Sequence, residues 1–184
     1  MQGAPKSIRI IKDFPKKGIA FYDIATILAK PKEFNKIVNK MTIEVKKMRA
    51  NTIVGIDSRG FIFAAAVAYK LKLKLVMIGK KGKLPGKTFC TSYKLEYGKN
   101  QLEIQKDMLK GKDKVVIIDD IFATSGTIQA SIKLIKKTKA KTLGVIILLE
   151  LAFLNGKLVI ERVILWFFTV NPPKLPRELK KSLA

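Results

Sequence analysis

The chain has 184 residues, of which 48% are hydrophobic, and it carries a formal net charge of +23 at pH 7. This length favours a single domain with a sizeable core, and the large hydrophobic fraction excludes intrinsic disorder. The absence of histidine and the presence of only one cysteine, Cys90, exclude a Cys/His zinc site and an internal disulfide, and they favour a reducing, cytoplasmic compartment.

We expect neither a targeting segment nor a membrane-spanning segment in this sequence. We expect no signal peptide, since the N-terminal residues lack its apolar core, and the longest apolar run, residues 143–149, is shorter than the roughly 20 residues of a membrane-spanning helix. Lysines are spread along the whole chain, and Lys133, Lys136 and Lys137 fall on a predicted solvent face. We interpret the positive charge as a lysine-rich surface and expect no nucleic-acid partner; a polyanion-binding surface is the alternative.

The N-terminal segment, residues 13–26, reads D-F-P-K-K-G-I-A-F-Y-D-I-A-T. Pro15 and Gly18 predict a turn before a short apolar stretch. By itself, this pattern indicates a strand or loop that packs on the core. An amphipathic helix is predicted next, over residues 33–48, where apolar side chains recur at helical spacing and indicate core packing.

A strand-to-helix turn follows in residues 51–63, which read N-T-I-V-G-I-D-S-R-G-F-I-F. The pattern predicts a short strand over 53–56 and a helix over 61–70. Arg59, in the turn between them, is well placed to bind a phosphate through its two-pronged guanidinium, and Gly60 permits a close backbone approach. The alternative is a surface ion pair between Arg59 and Asp57.

A basic loop and a hairpin come next. A strand over 75–78 leads into G-K-K-G-K-L-P-G at residues 79–86, whose glycines and lysines predict a mobile loop that could close over a phosphate site. Residues 88–105 alternate on both sides of residues 97–100 and predict a hairpin, for which an ordinary surface hairpin is the alternative. Cys90 lies in this hairpin and has no histidine to activate it as a nucleophile.

The most informative stretch is residues 115–127, which read V-V-I-I-D-D-I-F-A-T-S-G-T. Four β-branched residues predict a strand buried on both faces, as in a parallel sheet, with Asp119 and Asp120 where it ends. The small residues 123–127 then lead into a helix whose N-terminus could bind an anion. The alternative is an ordinary strand–helix junction in which Thr124 or Ser125 caps the helix.

The remaining patterns complete an α/β domain. They predict a helix after residue 127, a buried strand over 142–149, a last strand over 163–168 and a charged, loose tail. We therefore predict one domain with a mostly parallel sheet flanked by helices.

Four of these strings resemble, in order, those of the adenine phosphoribosyltransferases, a branch of the type I phosphoribosyltransferases. They are D-F-P-x-x-G-I, G-I-D-S-R-G-F-I-F, the hairpin string S-Y-x-L-E-Y-G with L-E-I, and V-V-I-I-D-D-I-F-A-T-S-G-T. The resemblance implies a type I phosphoribosyltransferase fold, with a hood over about residues 1–30, a flexible lid hairpin over about 79–105 and a loose tail over about 171–184. It also implies transfer of a phosphoribosyl group from 5-phosphoribosyl pyrophosphate (PRPP) to adenine, giving AMP and pyrophosphate.

The same resemblance implies roles for individual residues. Asp119 and Asp120 would bind the ribose hydroxyls, and Glu96 in the lid would handle a proton on the purine; a carboxylate suits this task in a chain without histidine. The residues expected to bind PRPP and its phosphates are Arg59, Lys80, Lys83, Tyr97, Ala123, Thr124, Ser125, Gly126 and Thr127. Those expected to contact the purine are Ile19, Ala20, Phe21 and Leu151, with core packing as the alternative for Leu151.

The family resemblance also suggests a homodimer, with Mg²⁺ carried by PRPP near the two aspartates and not bound directly by the protein. Three residues depart from the family pattern: Tyr22 and Gly79, each where arginine is usual, and Ser125 in the phosphate loop. These departures keep open an enzyme for another purine or one of reduced activity. The net charge keeps open a PRPP-sensing regulator of the same fold that binds nucleic acid.

Overall fold

The computed structural model describes residues 2–3, 8–94, 99–123, 125–151 and 164–170. The strands are β1 (Gln2–Gly3), β2 (Arg9–Lys12), β3 (Ala20–Asp23), β4 (Thr52–Ile56), β5 (Lys74–Lys80), β6 (Thr88–Lys94), β7 (Lys99–Gln105), β8 (Lys114–Phe122), β9 (Lys141–Leu151) and β10 (Ile164–Val170). The helices are α1 (Ala25–Leu28), α2 (Pro31–Lys47), α3 (Gly60–Leu71) and α4 (Ser125–Lys137). Within these residues, no helix is both long and apolar enough to cross a bilayer.

The main sheet has eight strands in the order β1-β10-β9-β8-β4-β5-β7-β6, and β2 and β3 form a separate antiparallel pair. In this sheet order, all neighbouring strands from β1 across to β5 are parallel, whereas β7 is antiparallel to both of its neighbours, β5 and β6. The prediction of a mostly parallel α/β sheet is therefore confirmed. The crossover through α3 leads from β4 to β5 and the one through α4 leads from β8 to β9, so the strand order reverses between β4 and β8. In open α/β sheets, ligands bind at such a reversal.

Both faces of the sheet are buried. Val116 and Ile118 of β8 lie in a core cluster with side chains of α2 and α3, whereas Val115 and Ile117 lie in a second cluster with side chains of α4. Because neighbouring strand residues point to opposite faces, a run of four apolar residues is what a strand between two helical layers requires.

The basic loop begins later than its composition predicts. Residues 79–86 are predicted as loop, but Gly79 and Lys80 belong to β5, since they pair with Glu103 and Leu102 of β7. The hairpin is confirmed, and its strands extend the main sheet. Helix α4 packs on it, and Nζ of Lys137 donates a hydrogen bond of 2.7 Å to the carbonyl of Cys90. The base of the hairpin is thus fixed to the body of the domain.

Candidate active site

The carboxyl ends of β4 and β8 lie next to each other where the strand order reverses. Pairing between these strands stops at Gly55 and Ile118, whereas β8 continues beside β9 as far as Phe122. The sequence predicts the two aspartates after the strand, but they lie inside it, because pairing with β9 extends β8 beyond them. The aspartates therefore lie on a stretch of β8 that has no strand neighbour on the β4 side.

Asp119 and Asp120 form a buried acidic pair. Their exposed fractions are 8% and 6%, and Oδ1 of Asp119 accepts a hydrogen bond of 2.9 Å from the backbone nitrogen of Asp120. Burial raises the pKa of Asp119 well above its usual range, and the neighbouring Asp120 charge raises it further. Burial also raises the pKa of Asp120, although the nearby Arg59 opposes that shift. Desolvated carboxylates at this position can attract a cationic group strongly.

The start of α3 packs directly against this acidic pair. A Cβ atom on Gly60 would lie 2.6 Å from Oδ1 of Asp119 and 3.1 Å from the carbonyl oxygen of Ile118. The close approach predicted for Gly60 therefore serves contact with Asp119. The positive end of the α3 dipole lies near the buried carboxylate and offsets part of the cost of its charge.

Arg59 connects the acidic pair to the N-terminal segment. Its Nε lies 2.8 Å from Oδ2 of Asp120, its guanidinium carbon lies 5.0 Å from the centre of the Phe21 ring, and Nη1 donates to the carbonyl of Tyr22 at 3.5 Å. The alternative pairing with Asp57 is wrong. Asp57 Oδ2 accepts a hydrogen bond of 3.3 Å from the backbone nitrogen of Lys80 instead, which ties this turn to the basic loop.

The stretch predicted to bind phosphate is more helical than expected. Residues 123–127 are predicted as a turn, but Ser125, Gly126 and Thr127 form the first turn of α4, which carries no acidic residue. The Ser125 Oγ accepts from Nε2 of Gln129 at 3.1 Å. The free backbone N–H groups of this turn begin three residues after β8 ends, and with the helix dipole they suit a phosphate.

Three of the four predicted purine contacts, Ile19, Ala20 and Phe21, lie on β3 and the loop before it. Ile19 is half exposed, and the ring of Phe21 meets that of Phe14 edge to face with their centres 5.1 Å apart. Tyr22, which departs from the family pattern, points the other way into the core, because alternate strand residues face opposite sides. Burial raises the pKa of its phenol. The apolar side of β3 that adjoins Arg59 is thus formed by Phe21.

Three predicted site residues, Glu96, Tyr97 and Thr124, lie outside the described residues. Leu151 packs in the same core cluster as side chains of α2 and α3, which agrees with core packing, the alternative prediction for this residue. Lys80, at the end of β5, and Lys83, on the basic loop, are both exposed, and the described residues offer neither of them an ion pair.

One buried carboxylate of the hairpin, Glu103, is not among the predicted site residues. Its side chain accepts hydrogen bonds from the loop that carries Lys83. The sequence gives one indication of a role for Glu103, which is that it stands between two apolar residues in the L-E-I string of the hairpin.

Comparisons with known proteins agree with this geometry. The sequence pattern of the family described as the phosphoribosyl transferase domain matches residues 23–157. An adenine phosphoribosyltransferase of Mycoplasma mobile is 51% identical over 152 residues, which cover 83% of this chain and 88% of the relative.

Two solved structures extend the comparison. The crystal structure of adenine phosphoribosyltransferase from Thermoanaerobacter pseudethanolicus has a TM-score of 0.85 at 40% identity and covers 89% of this chain and 95% of its own. The Saccharomyces cerevisiae enzyme, complexed with an imino-altritol bisphosphate and adenine, has a TM-score of 0.82 at 32% identity and covers 87% and 93%.

Proposed function

Since the chain belongs to the adenine phosphoribosyltransferase family, we propose that it transfers the 5-phosphoribosyl group from PRPP to adenine, giving AMP and pyrophosphate. The observation that carries this proposal is the meeting of Arg59 and Asp120 where the strand order reverses, 2.8 Å apart and beside Phe21. Arg59 is a cation for pyrophosphate, Asp120 is an acid for ribose and Phe21 is an aromatic ring for a base, and the reaction requires these three kinds of group close together.

The reaction breaks the bond between the anomeric carbon and pyrophosphate and forms a bond from that carbon to an adenine ring nitrogen. Negative charge grows on the pyrophosphate as it leaves. Arg59, Lys80 and Lys83 are the groups proposed to bind and stabilise it, because they are cations on two turns that Asp57 ties together.

We propose that Mg²⁺ enters with PRPP. In the described part of the chain, no group of three or more His, Cys, Asp or Glu side chains is placed to hold a metal ion. Asp119 and Asp120 alone therefore suit an ion held mainly by phosphate oxygens of the donor. When bound, Mg²⁺ neutralises charge on the departing pyrophosphate.

Positive charge grows on the ribose ring as the bond breaks. Asp119 and Asp120 are proposed to hold the ribose hydroxyls and to face this charge from a buried site, where electrostatic attraction is little screened. The first turn of α4, with Ala123 and Thr124 before it, is proposed to hold the 5′-phosphate and so to fix the sugar in place.

The purine is proposed to lie against Ile19, Ala20 and Phe21, with Leu151 as a further contact. Glu96 is proposed to accept the proton that the attacking ring nitrogen releases, while Tyr97 helps to close the site over PRPP. A carboxylate under a closed lid is desolvated, which raises its pKa towards that of a useful base.

Glu96→Ala should lower kcat by about 10²-fold, in the range of general-base effects, while leaving the Kd of PRPP within about threefold. Single-turnover rates and PRPP titration measure the two quantities separately. An unchanged rate would remove Glu96 from the mechanism.

The proposed activity is tested by supplying the purified protein with PRPP, Mg²⁺ and adenine, with hypoxanthine and guanine in parallel reactions. We expect AMP from adenine and no nucleotide from the other two bases. Product from hypoxanthine or guanine instead would assign another purine. PRPP binding without any product would point to a regulator.

We also propose that the protein acts in the cytoplasm as a homodimer. Cys90 has no partner for an internal disulfide, which suits a reducing compartment. Three large apolar side chains, Tyr69, Leu75 and Met77, are exposed on α3 and β5, and a second copy would cover them. A single-chain mass at micromolar concentration in sedimentation equilibrium would contradict the dimer.

A further inference from the structure

The segment between β5 and β6 is folded around the carboxylate of one residue on β7. Glu103 is only 5% exposed. Its Oε1 accepts hydrogen bonds from the backbone nitrogens of Lys83 at 3.0 Å and Leu84 at 2.9 Å, and its Oε2 accepts one from Oγ1 of Thr88 at 3.2 Å. One side chain therefore satisfies donors in the middle of this loop and at the start of β6.

The strand register explains why Glu103 reaches the loop. It pairs with Gly79 of β5 and with Cys90 of β6, so its strand lies between the two strands that the loop connects. Gly79 adds to this packing, because a Cβ there would lie 3.1 Å from Cγ of Leu84. Leu84 thus lies over the strand, in the space that a larger residue at position 79 would need.

The loop is rich in positive charge, and the carboxylate buried beside it, that of Glu103, is negative. Lys80, Lys81, Lys83 and Lys87 all lie in a stretch of eight residues and are exposed. No ion pair to them occurs among the described residues. Although burial opposes it, the hydrogen bonds from Leu84, Thr88 and Lys83 lower the pKa of Glu103, so it is ionised at neutral pH. Its negative charge lies within hydrogen-bond distance of the backbone of this lysine-rich loop.

We propose that Glu103 is a positioning residue for pyrophosphate recognition, which holds the loop so that Lys80 and Lys83 face the pyrophosphate of PRPP. The inference rests on the proposed function, since it needs PRPP as the ligand. The backbone nitrogen of Lys80 is anchored separately on Asp57, beside Arg59. Glu103 thus fixes the middle of a loop, and its junction with β6, whereas the junction with β5 is fixed at the site by Asp57.

The test is Glu103→Gln, which keeps the size of the side chain but removes its charge and one of its two acceptor oxygens. We expect the Kd of PRPP, measured by calorimetry with Mg²⁺ and without adenine, to rise about tenfold, because the loop that carries Lys83 loses charge-assisted hydrogen bonds that hold it in place. The Kd of ribose 5-phosphate, which has no pyrophosphate, should change by less than about twofold.

Two further variants keep the inference open to contradiction even if Glu103→Gln folds poorly. Thr88→Val removes only the hydrogen bond to Oε2 and should raise the Kd of PRPP about two- to threefold. Asp113→Asn is the matched control, since Asp113 is an equally buried carboxylate that accepts from the backbone of Lys110 and from Lys74 at the opposite end of β8. It should leave the Kd of PRPP unchanged.

The outcomes separate this inference from the proposed function. If Glu103→Gln binds PRPP as tightly as the wild type, or loses affinity for PRPP and ribose 5-phosphate equally, the positioning role is wrong and the transferase activity stands. If the wild-type protein itself binds no PRPP, the proposed function fails before Glu103 is tested.

Discussion

Replacing Asp119 and Asp120 together with asparagine should reduce the rate of AMP formation by about 10³-fold or more. Asparagine keeps the shape of the side chains and can still accept the hydrogen bond from the backbone nitrogen of residue 120. It removes the negative charge that faces the ribose ring as positive charge develops there. The measurement is single-turnover AMP formation at saturating PRPP and adenine. A double variant with wild-type turnover would contradict the role of both aspartates.

Loss of activity in this variant should not come from loss of folding. Because burial raises the pKa of Asp119 above its usual 3.8, the folded protein keeps, at pH values between 3.8 and the raised pKa, a proton that the unfolded chain gives up. The free energy of unfolding therefore falls as pH rises from about 4 through the raised pKa. Asp119→Asn removes this loss, and we therefore expect it to be more stable than the wild type at pH 7.5.

The pH dependence distinguishes this explanation from a general effect of asparagine. The stability difference between Asp119→Asn and the wild type should nearly vanish at pH 4 and grow as pH increases. Asp113→Asn provides a control of opposite sign, because hydrogen bonds from Lys74 and Lys110 outweigh burial and lower the pKa of Asp113. That variant should be less stable than the wild type at pH 7.5. Thermal unfolding of both variants at several pH values tests this contrast.

Local patterns were sufficient for the elements that hold the site. The apolar run of β8 predicts a strand buried on both faces, and Val115 to Ile118 lie in the two core clusters on opposite faces of the sheet. The alternation around residues 97–100 predicts the hairpin, whose strands are β6 and β7. These features depend on residues that are adjacent in the chain, and so they can be predicted from the local sequence pattern.

The features that sequence patterns missed depend on residues far apart in the chain. The two aspartates lie inside β8 because β9 pairs with it beyond the end of β4. Gly79 and Lys80 join β5 because β7 pairs with them. Partners such as these follow from strand order and register, which no single stretch of sequence specifies.

The contact of Arg59 illustrates the same limit. Its position in a strand-to-helix turn predicts a phosphate clamp, and Asp57, two residues away, is the obvious local partner. The observed partner is Asp120, because the turn after β4 and the end of β8 adjoin only once the sheet is assembled. Arg59, which is proposed to bind pyrophosphate, and Asp120, which is proposed to bind ribose, thus form an ion pair with each other. PRPP must replace this ion pair with its own contacts.

Arg59→Ala should lower kcat/KM for PRPP by about 10²–10³-fold, as expected when a charged group that stabilises a leaving group is lost. Arg59→Lys should recover only part of this loss, because an ammonium group cannot bind a phosphate with two parallel hydrogen bonds. Arg9→Ala is the matched control. It breaks another arginine–aspartate pair, in which Nε of Arg9 lies 3.1 Å from Oδ2 of Asp23, and it should change kcat/KM by less than about twofold.

The pH profile of kcat/KM shows whether Arg59 also controls the aspartate in the free protein. Burial raises the pKa of Asp120, and the Arg59 charge holds this shift in check. Removal of the guanidinium should therefore raise the pKa further and move the acidic limb of the profile to higher pH, since kcat/KM reports groups of the free enzyme. Arg59→Lys should give an intermediate limb. A limb that stays in place while the rate falls would restrict Arg59 to binding pyrophosphate.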